Sequence, residues 1–143
     1  MNKQPILTLT DNPDPSVREA IVRPLIEFNT MQSGHSSDYR PLAMTITDPQ
    51  THKIIGGLWG ATNFTQLHID LLFVPEALRG QRLGSKILHD AEAEAQRRSC
   101  RGAWLDTFSF QARGFYEGLG YTVFGMIEDY PPGHSRFFLK KTF

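Results

Sequence analysis

A stretch in the middle of the chain, VPEALRGQRLGSKIL (Val74 to Leu88), combines residue types that bind phosphate. Pro75 must end the preceding strand, because proline has no N–H for the sheet ladder, and an apolar helical pattern begins soon afterwards. The free N–H groups of a first helical turn attract oxyanions with help from the helix dipole. Arg79 and Arg82 add charged donors where positive charge without an anion is unfavourable. The stretch therefore predicts a phosphate site.

Two glycines in this stretch, Gly80 and Gly84, allow the backbone to turn tightly or to approach a ligand. Glycines alone are a weak signal, and the run matches neither a Walker A loop nor a Rossmann fingerprint. The alternative interpretation is a solvated, basic start of a surface helix. We expect a residue that opens a helix to have an ordinary φ, so the Arg82 side chain should turn outward or reach a phosphate.

A second stretch, SFQARGFYEGLGY, follows further along the chain. Together the two stretches resemble the signature of the GNAT superfamily of acyl-CoA-dependent N-acetyltransferases. In its pattern Arg/Gln-x-x-Gly-x-Gly/Ala, Arg79 and Gly84 match the first and last positions, whereas Arg82 replaces the middle glycine. Ser109 stands where many members have an asparagine that contacts CoA. The second stretch matches the other half of the signature at Ala112, Tyr116, Leu119, Gly120 and Tyr121.

The order of elements also resembles that of the family, which implies an α/β fold with the order β-α-α-β-β-β-α-β-α-β-β. Its central mixed, mostly antiparallel sheet should have helices on both faces, in a single domain over residues 1–143. The alternating run Pro5–Thr10 predicts the first strand, Ser16 should cap the next helix, and Pro24 should kink or divide that helix. The mid-chain strand-helix-strand crossover predicts a parallel strand pair.

The helix after the phosphate stretch shows a clear apolar face. Leu83 and the other apolar residues at helical spacing should face the core, while Glu92 should lie among the charged residues on the remaining faces. The apolar residues of that face are Leu83, Ile87, Leu88, Ala91 and Ala95.

The resemblance implies direct transfer of an acetyl group from acetyl-CoA, as co-substrate, to a primary amine in a ternary complex. In the family a tyrosine at the position of Tyr116 helps the CoA thiolate to leave, so this residue is our candidate acid. Main-chain donors beside the thioester could polarise its carbonyl, as an oxyanion hole does. The residues expected at the acetyl-CoA site are Leu72, Phe73, Val74, Arg79, Gly80, Gln81, Arg82, Leu83, Gly84, Ser85, Ser109 and Tyr116.

The general base is the least defined part of the predicted chemistry. An alkyl ammonium of pKa ~10.4 carries a deficit of roughly 4–5 kcal/mol at neutral pH before it can attack. On the strand LHIDLLFV, the side chains of His68, Asp70, Leu72 and Val74 should share one face if no bulge intervenes. The family often has a glutamate on this strand, which this sequence lacks. Asp70 is our first choice, His68 the second and Asp106 the third.

Overall composition limits the partners of the protein. The chain of 143 residues has 15 basic and 15 acidic side chains, so no global field favours nucleic acid or an anionic membrane. Its five histidines show no ligand pair at helical spacing, which predicts no metal site. The single cysteine, Cys100, and the lack of an apolar leader favour a cytoplasmic protein. Many members of the family that the sequence resembles form dimers, which makes a homodimer plausible.

The acceptor amine is not readable from the sequence. The residues Tyr39, Trp59, Tyr130 and His134 either line an acceptor pocket on loops or are ordinary core and turn residues. The missing glutamate and the replaced glycine also leave two other functions open. One is a non-catalytic acyl-CoA sensor or partner-binding module, and the other is a transferase of a longer acyl group.

Overall fold

The computed structural model describes residues 3–143, which fall into two compact units. One unit ends at Ser37 and the other spans Asp38–Phe143. The expectation of a single domain over the whole chain stays a prediction. All residues expected to bind or transform a ligand lie in the second unit, so the site can be described within it.

In the first unit, the structure contradicts the expected strand and the expected N-cap, and it excludes the division of the helix at Pro24. The run Pro5–Thr10 is not a strand, since its side chains are exposed and it pairs with no strand of residues 3–143. Helix α1 (Pro15–Ser33) continues through Pro24 without dividing, because the loss of one internal hydrogen bond does not end a helix that is capped at both ends. Its N-cap is Asp14, whose carboxylate accepts the Ser16 N–H at 2.9 Å.

The second unit is built on a six-stranded sheet with the order β1-β2-β3-β4-β6-β5. Three consecutive antiparallel strands form one half, and the other half follows a helical crossover. Its elements are β1 (Arg40–Thr47), β2 (Ile54–Asn63), β3 (Gln66–Phe73), α2 (Leu83–Arg97), β4 (Gly102–Phe108), α3 (Arg113–Gly118), β5 (Thr122–Glu128) and β6 (Ser135–Thr142). The predicted mixed, mostly antiparallel sheet is confirmed.

The parallel strand pair predicted for the mid-chain crossover is confirmed as well. Strands β3 and β4 pair in parallel, from Gln66 opposite Gly102 to Ile69 opposite Leu105. Every other neighbouring pair in the sheet is antiparallel. Helix α2 connects the two parallel strands, and residues 74–82, which include a 3-10 helix, join the end of β3 to its N-terminus.

Both helices of the second unit pack on one face of its sheet, which we call the core face. Helix α2 contacts β1, β2 and β3, and α3 contacts β5. The core consists of alternate strand residues and the apolar face of α2, with the largest fully buried side chains at Leu67, Leu88, Leu105 and Leu139. A helix on the opposite face stays a prediction. In the described part of the chain, no helix has both the length and the apolar character needed to cross a bilayer.

Candidate active site

Strands β3 and β4 separate at one end of the sheet. Their shared ladder stops at the pair Ile69 and Leu105. Beyond it, β3 continues to Phe73 bonded only to β2, and β4 continues to Phe108 bonded only to β6. The two facing edges, Asp70–Phe73 and Asp106–Phe108, thus have no ladder between them. We call this gap the wedge, and an extended ligand could enter it as a pseudo-strand.

A β-bulge lies at the narrow end of the wedge. Along β2, Trp59 pairs with Leu71 and Gly60 pairs with Ile69, which leaves Asp70 as the extra residue of β3. A bulge reverses the alternation of side chains, so Leu72 packs against the core while His68 points to the opposite face. The shared face was expected only if no bulge intervened, and because a bulge is present, Leu72 does not share the face of His68.

The turn between β3 and α2 leads the chain from the wedge to a helix N-terminus. A short 3-10 helix, Glu76–Leu78, is followed by Arg79 and by Gly80 at φ 82°. The first main-chain bond into α2 runs from the Lys86 N–H to the Arg82 carbonyl. The preceding N–H groups of α2 lack partners within the helix, and no acidic side chain occupies its first turn. This geometry suits an oxyanion.

The expectation of an ordinary φ at Arg82 is wrong. The residue caps α2 at φ 62° and ψ 21°, in the left-handed region, and its side chain makes no capping hydrogen bond. This conformation costs a residue with a Cβ about 1–2 kcal/mol, whereas glycine adopts it freely. The middle glycine of the GNAT pattern is thus explained here by backbone conformation, and Arg82 accepts strain that a glycine would avoid.

At Gly84, close packing rather than backbone conformation explains the glycine. A Cβ at this position would lie 3.1 Å from Cζ of Phe115, tighter than ordinary van der Waals contact. The absence of a side chain on α2 allows the first turn of α3 to pack against it. The two stretches that resemble the family signature are therefore in direct contact, through Gly84 in one and Phe115 in the other.

The Arg79 side chain holds the turn against the end of β3. Its Nε donates to the Val74 carbonyl at 2.9 Å, and its guanidinium carbon lies 5.9 Å from the centre of the Phe73 ring. Gln81 is exposed in the turn, and Leu83 and Ser85 are half-buried in the first turn of α2. Their roles in binding stay predictions, as does that of Leu72.

Tyr116, the candidate acid, is buried on α3 with only 8% of its surface exposed. Its ring makes edge contacts with Phe115 and Tyr121. Desolvation, and then the negative charge of Asp106, raise the pKa of Tyr116 to about 12. Asp106 is the first β4 residue beyond the last rung with β3. Since its charge acts on the Tyr116 hydroxyl, that hydroxyl lies near the start of the wedge. The hydroxyl is protonated at neutral pH, as a proton donor must be.

A polar cluster of Glu92, Lys141 and Tyr121 lies next to Tyr116. Glu92 of α2 is 8% exposed, contrary to its expected place on a solvated face. Its carboxylate accepts from Lys141 Nζ at 2.8 Å and from the Tyr121 hydroxyl at 3.3 Å. Burial and this carboxylate raise the pKa of Tyr121 far above its usual range. Tyr121 also contacts the Tyr116 ring. The hydrogen bonds of this cluster therefore link α2 and β6 to the side chain that packs against the candidate acid.

Asp106, the third candidate base, is held in an ion pair. Its carboxylate accepts from Arg136 Nε at 2.8 Å, and Arg136 also donates to the Tyr130 hydroxyl at 3.0 Å. The guanidinium lies close to the rings of Phe108 and Phe138 as well. A carboxylate with such a partner is a weaker choice for proton abstraction than an exposed one.

Ser109 takes part in a cluster beside this ion pair. Its hydroxyl accepts from the Ser135 N–H at 3.0 Å and lies 3.4 Å from Nδ1 of His134. His134 packs on Phe110, and Tyr130 packs on Phe108. His134 and Tyr130 thus belong to this cluster, and neither is among the residues that line the pocket described next.

A pocket of about 320 Å³ opens on the sheet face opposite the core. Of the side chains proposed for the acceptor or for base catalysis, it brings together Tyr39, Trp59, His68 and Asp70. Sequence reasoning missed Trp104. Its strand was recognised, but the strand pairing that sets it opposite His68 was not. The complete lining is Tyr39, Trp59, Gly60, Ala61, Asn63, Gln66, His68, Asp70 and Trp104.

His68 has an unusual environment in this pocket. Its ring stacks on that of Trp104, with centroids 3.8 Å apart and planes inclined by 11°. Its Nε2 is the only buried side-chain nitrogen or oxygen of residues 3–143 without a hydrogen-bond partner. A buried nitrogen without a hydrogen bond lowers the stability of the fold by about 1–3 kcal/mol.

Comparison with known proteins agrees with this geometry. The sequence model of the acetyltransferase (GNAT) family matches residues 14–121, which include the turn, α2 and Tyr116. An acetyltransferase of Agrobacterium fabrum is 40% identical, and the match covers 94% of this chain and 97% of that protein. A blasticidin-S acetyltransferase of Streptomyces morookaense is 35% identical over 94% of this chain and 93% of its own length. The chain belongs to the acetyltransferase (GNAT) family and is an acetyltransferase.

A solved structure supports the same assignment at the level of the fold. A crystal structure from Agrobacterium tumefaciens has a TM-score of 0.89 with this chain at 39% sequence identity. The match covers 96% of this chain and 99% of that one. Since almost the full length of both proteins is included, the resemblance stated from the two motifs is confirmed for the family and the fold.

Proposed function

We propose that the protein transfers an acetyl group from acetyl-CoA to a primary amine by direct attack in a ternary complex. The observation that carries this proposal is the wedge between β3 and β4, from which residues 74–82 lead to the N-terminus of α2. An extended thioester arm in the wedge would have its diphosphate at the free N–H groups of Leu83, Gly84 and Ser85. The residues present therefore fit both the long and the charged part of acetyl-CoA.

Side chains around the turn would add to the diphosphate site. Arg82 is exposed beside the first turn of α2 and brings positive charge to it. Arg79 keeps the turn attached to the carbonyl of Val74 and adds a second guanidinium near the site. Phe73 and Val74, at the end of β3, would lie along the pantetheine arm, with Leu72 below them.

In the reaction, the amine nitrogen forms a bond to the thioester carbonyl carbon, and the carbon–sulfur bond breaks. Main-chain N–H groups of β3 facing the wedge would stabilise the negative charge on the carbonyl oxygen. Tyr116 would donate a hydrogen bond to the departing thiolate, and the proton that the attacking nitrogen loses as the amide forms would protonate the sulfur. A phenol is a weaker acid than a thiol, so its contribution is a hydrogen bond to sulfur that strengthens as charge develops.

The acceptor must lose a proton before it attacks. Asp70, exposed in the bulge at the narrow end of the wedge, is our first choice of base, directly or through a water molecule. His68 is the second choice, because its unpartnered Nε2 is buried beside the same pocket. The relative named for blasticidin S makes this compound the first acceptor to test.

Calorimetry of the protein with acetyl-CoA, followed by CoA release across an amine panel that includes blasticidin S, tests the proposal. We expect binding and acceptor-dependent CoA release. Binding without release from any amine would indicate a sensor, and faster release from propionyl- or succinyl-CoA would indicate a longer acyl group. If neither CoA nor its esters bind, the proposal is wrong.

A charge introduced at the helix N-terminus tests the diphosphate site itself. In Ser85→Asp, a carboxylate in the first turn of α2 suits the helix dipole, so the fold should keep its stability. The same carboxylate repels a diphosphate, and affinity for acetyl-CoA should fall at least about tenfold. Ser85→Ala is the matched control, because it removes the hydroxyl without adding charge. Equal affinity in both variants would contradict this site.

A further inference from the structure

We infer that the acceptor amine carries a flat, unsaturated ring, which stacks in the pocket of Trp59 and Trp104 while its ammonium group lies against Asp70. The inference rests on the proposed function, since it names the class of amine that this acetyltransferase would accept. It goes beyond that function because neither the wedge nor the helix N-terminus says anything about the acceptor.

The aromatic character of the pocket carries the first part of the argument. Trp59 is 48% exposed and Tyr39 is 61% exposed, although large aromatic side chains usually bury most of their surface. On the opposite side of the lining, the His68 and Trp104 rings form a stack. A flat ring would cover these exposed faces and gain offset or edge contacts that a saturated ring of equal size does not make.

The polar groups of the pocket carry the second part. Asp70 is exposed at the bulge, opposite Trp59 and Gly60, and offers a carboxylate to an ammonium group. Nε2 of His68 lacks a partner although it is buried. The pocket thus combines ring-binding surfaces with one negative charge.

The position of the pocket relative to the wedge carries the third part. His68 and Trp104 form the rung directly before the last rung, that of Ile69 and Leu105. Strand residues advance by about 3.3 Å each, so Asp70 lies only two residues beyond the ring stack, at the start of the wedge. An amine two or three bonds from a stacked ring would reach the place where the thioester arm ends.

A pair of amines that differ only in the saturation of the ring tests the inference. Calorimetry with 2-phenylethylamine and 2-cyclohexylethylamine compares equal amino groups on rings of similar size. Stacking predicts roughly two- to tenfold tighter binding of the phenyl compound. Simple hydrophobic burial predicts the opposite order, because the cyclohexyl ring is the more apolar of the two. Equal affinities, a reversed order or no binding of either amine would overturn the inference.

Three variants locate the effect. In Trp59→Leu the preference for the unsaturated ring should disappear, whereas Phe124→Leu, an exposed aromatic residue on the edge strand β5, should keep it. In Asp70→Asn both amines should bind about two- to fivefold more weakly, with their ratio unchanged. A ratio that survives in Trp59→Leu would assign the ring to another place and overturn the inference.

Turnover separates this inference from the proposed function. CoA release is measured with acetyl-CoA and the same two amines, independently of the binding titrations. Ring-selective binding without CoA release would contradict acetyl transfer to this class of amine but not the ring preference. Acetylation of both amines at equal kcat/KM would support the transfer and contradict the ring preference.

Discussion

The core of the second unit and the pocket on the opposite face of its sheet differ in how their polar side chains are partnered. On the core face, the buried carboxylate of Glu92 has two partners, Lys141 and Tyr121. On the other face, Asp70 is exposed, and Nε2 of His68 is buried with no partner. Asp106, on the same face but outside the pocket, is paired with Arg136. The core is therefore complete without a ligand, whereas the pocket offers the exposed Asp70 carboxylate to one.

The candidate acid and the candidate base lie on different faces of the sheet, so different parts of the fold position them. The candidate acid, Tyr116, belongs to the core face and is held by packing against Phe115 and Tyr121. The candidate base, Asp70, belongs to the pocket face. The wedge lies between them, because the sheet opens there. Substitutions on the core face should change stability or the departure of the thiolate, and those on the pocket face should change the binding or the deprotonation of the acceptor.

The largest expected effect is the loss of the Tyr116 hydroxyl. Tyr116→Phe keeps the buried ring but removes the proton donor, so kcat should fall by about 10²- to 10⁴-fold. The KM for acetyl-CoA should hardly change, because the diphosphate site is elsewhere. Steady-state kinetics with the best amine measures both. An undiminished kcat over the whole pH range would show that the departing thiolate needs no donor here.

The pH profile of the wild type gives an additional measurement on the same residue. With the pKa of Tyr116 raised to about 12, its hydroxyl stays protonated well above the ordinary value of about 10. Activity should therefore not fall near pH 10 through ionisation of this phenol. Because the folded pKa is the higher one, its stabilising effect is complete below about pH 10 and is lost as the pH rises through about 12.

The second effect concerns the buried ion pair of the core face. Lys141→Met leaves the Glu92 carboxylate without its cation, and the free energy of unfolding should decrease by about 2–4 kcal/mol. Lys86→Met is the matched control, since the Lys86 and Asp90 side chains are 71% and 36% exposed. Such a surface pair contributes less than about 1 kcal/mol. Urea unfolding compares the variants.

A double substitution tests the reason for that loss. If the cost comes from an uncompensated charge, Glu92→Gln added to Lys141→Met should recover part of the stability. No recovery would indicate that the Lys141 side chain stabilises by packing alone. If Lys141→Met and Lys86→Met lowered the free energy of unfolding equally, the Glu92–Lys141 pair would contribute no more than an exposed surface pair.

The smallest expected effect concerns the strained residue at the start of α2. Arg82→Gly relieves a left-handed conformation and should raise the free energy of unfolding by about 1 kcal/mol. Affinity for acetyl-CoA should decrease a few-fold at low salt, since one charged donor is lost. Thermal unfolding and calorimetry measure the two changes. Far tighter binding of acetyl-CoA by the variant would mean that the arginine obstructs the site.

Some parts of the fold and site were predictable because they depend on local periodicity. The apolar face of α2 follows from helical spacing, and its residues Ile87, Leu88, Ala91 and Ala95 are buried. The turn after β3 follows from Pro75 and the glycines. Other parts were not predictable. Glu92 was expected among the charged residues on the other faces of α2. Its burial could not be predicted, because its neutralising partner, Lys141, is distant in the sequence and only the folded sheet brings them together.

The sequence by itself determined the family, the order of the elements after Ser37 and the two stretches that surround the proposed acetyl-CoA site. Residue types, spacing and turn signals act over a few neighbours, so they can be read without the fold. Tertiary structure alone decided the bulge at Asp70, the left-handed Arg82 and the pocket that joins Trp59 to Trp104. Each depends on strand register or on packing between distant segments, and no local pattern encodes either.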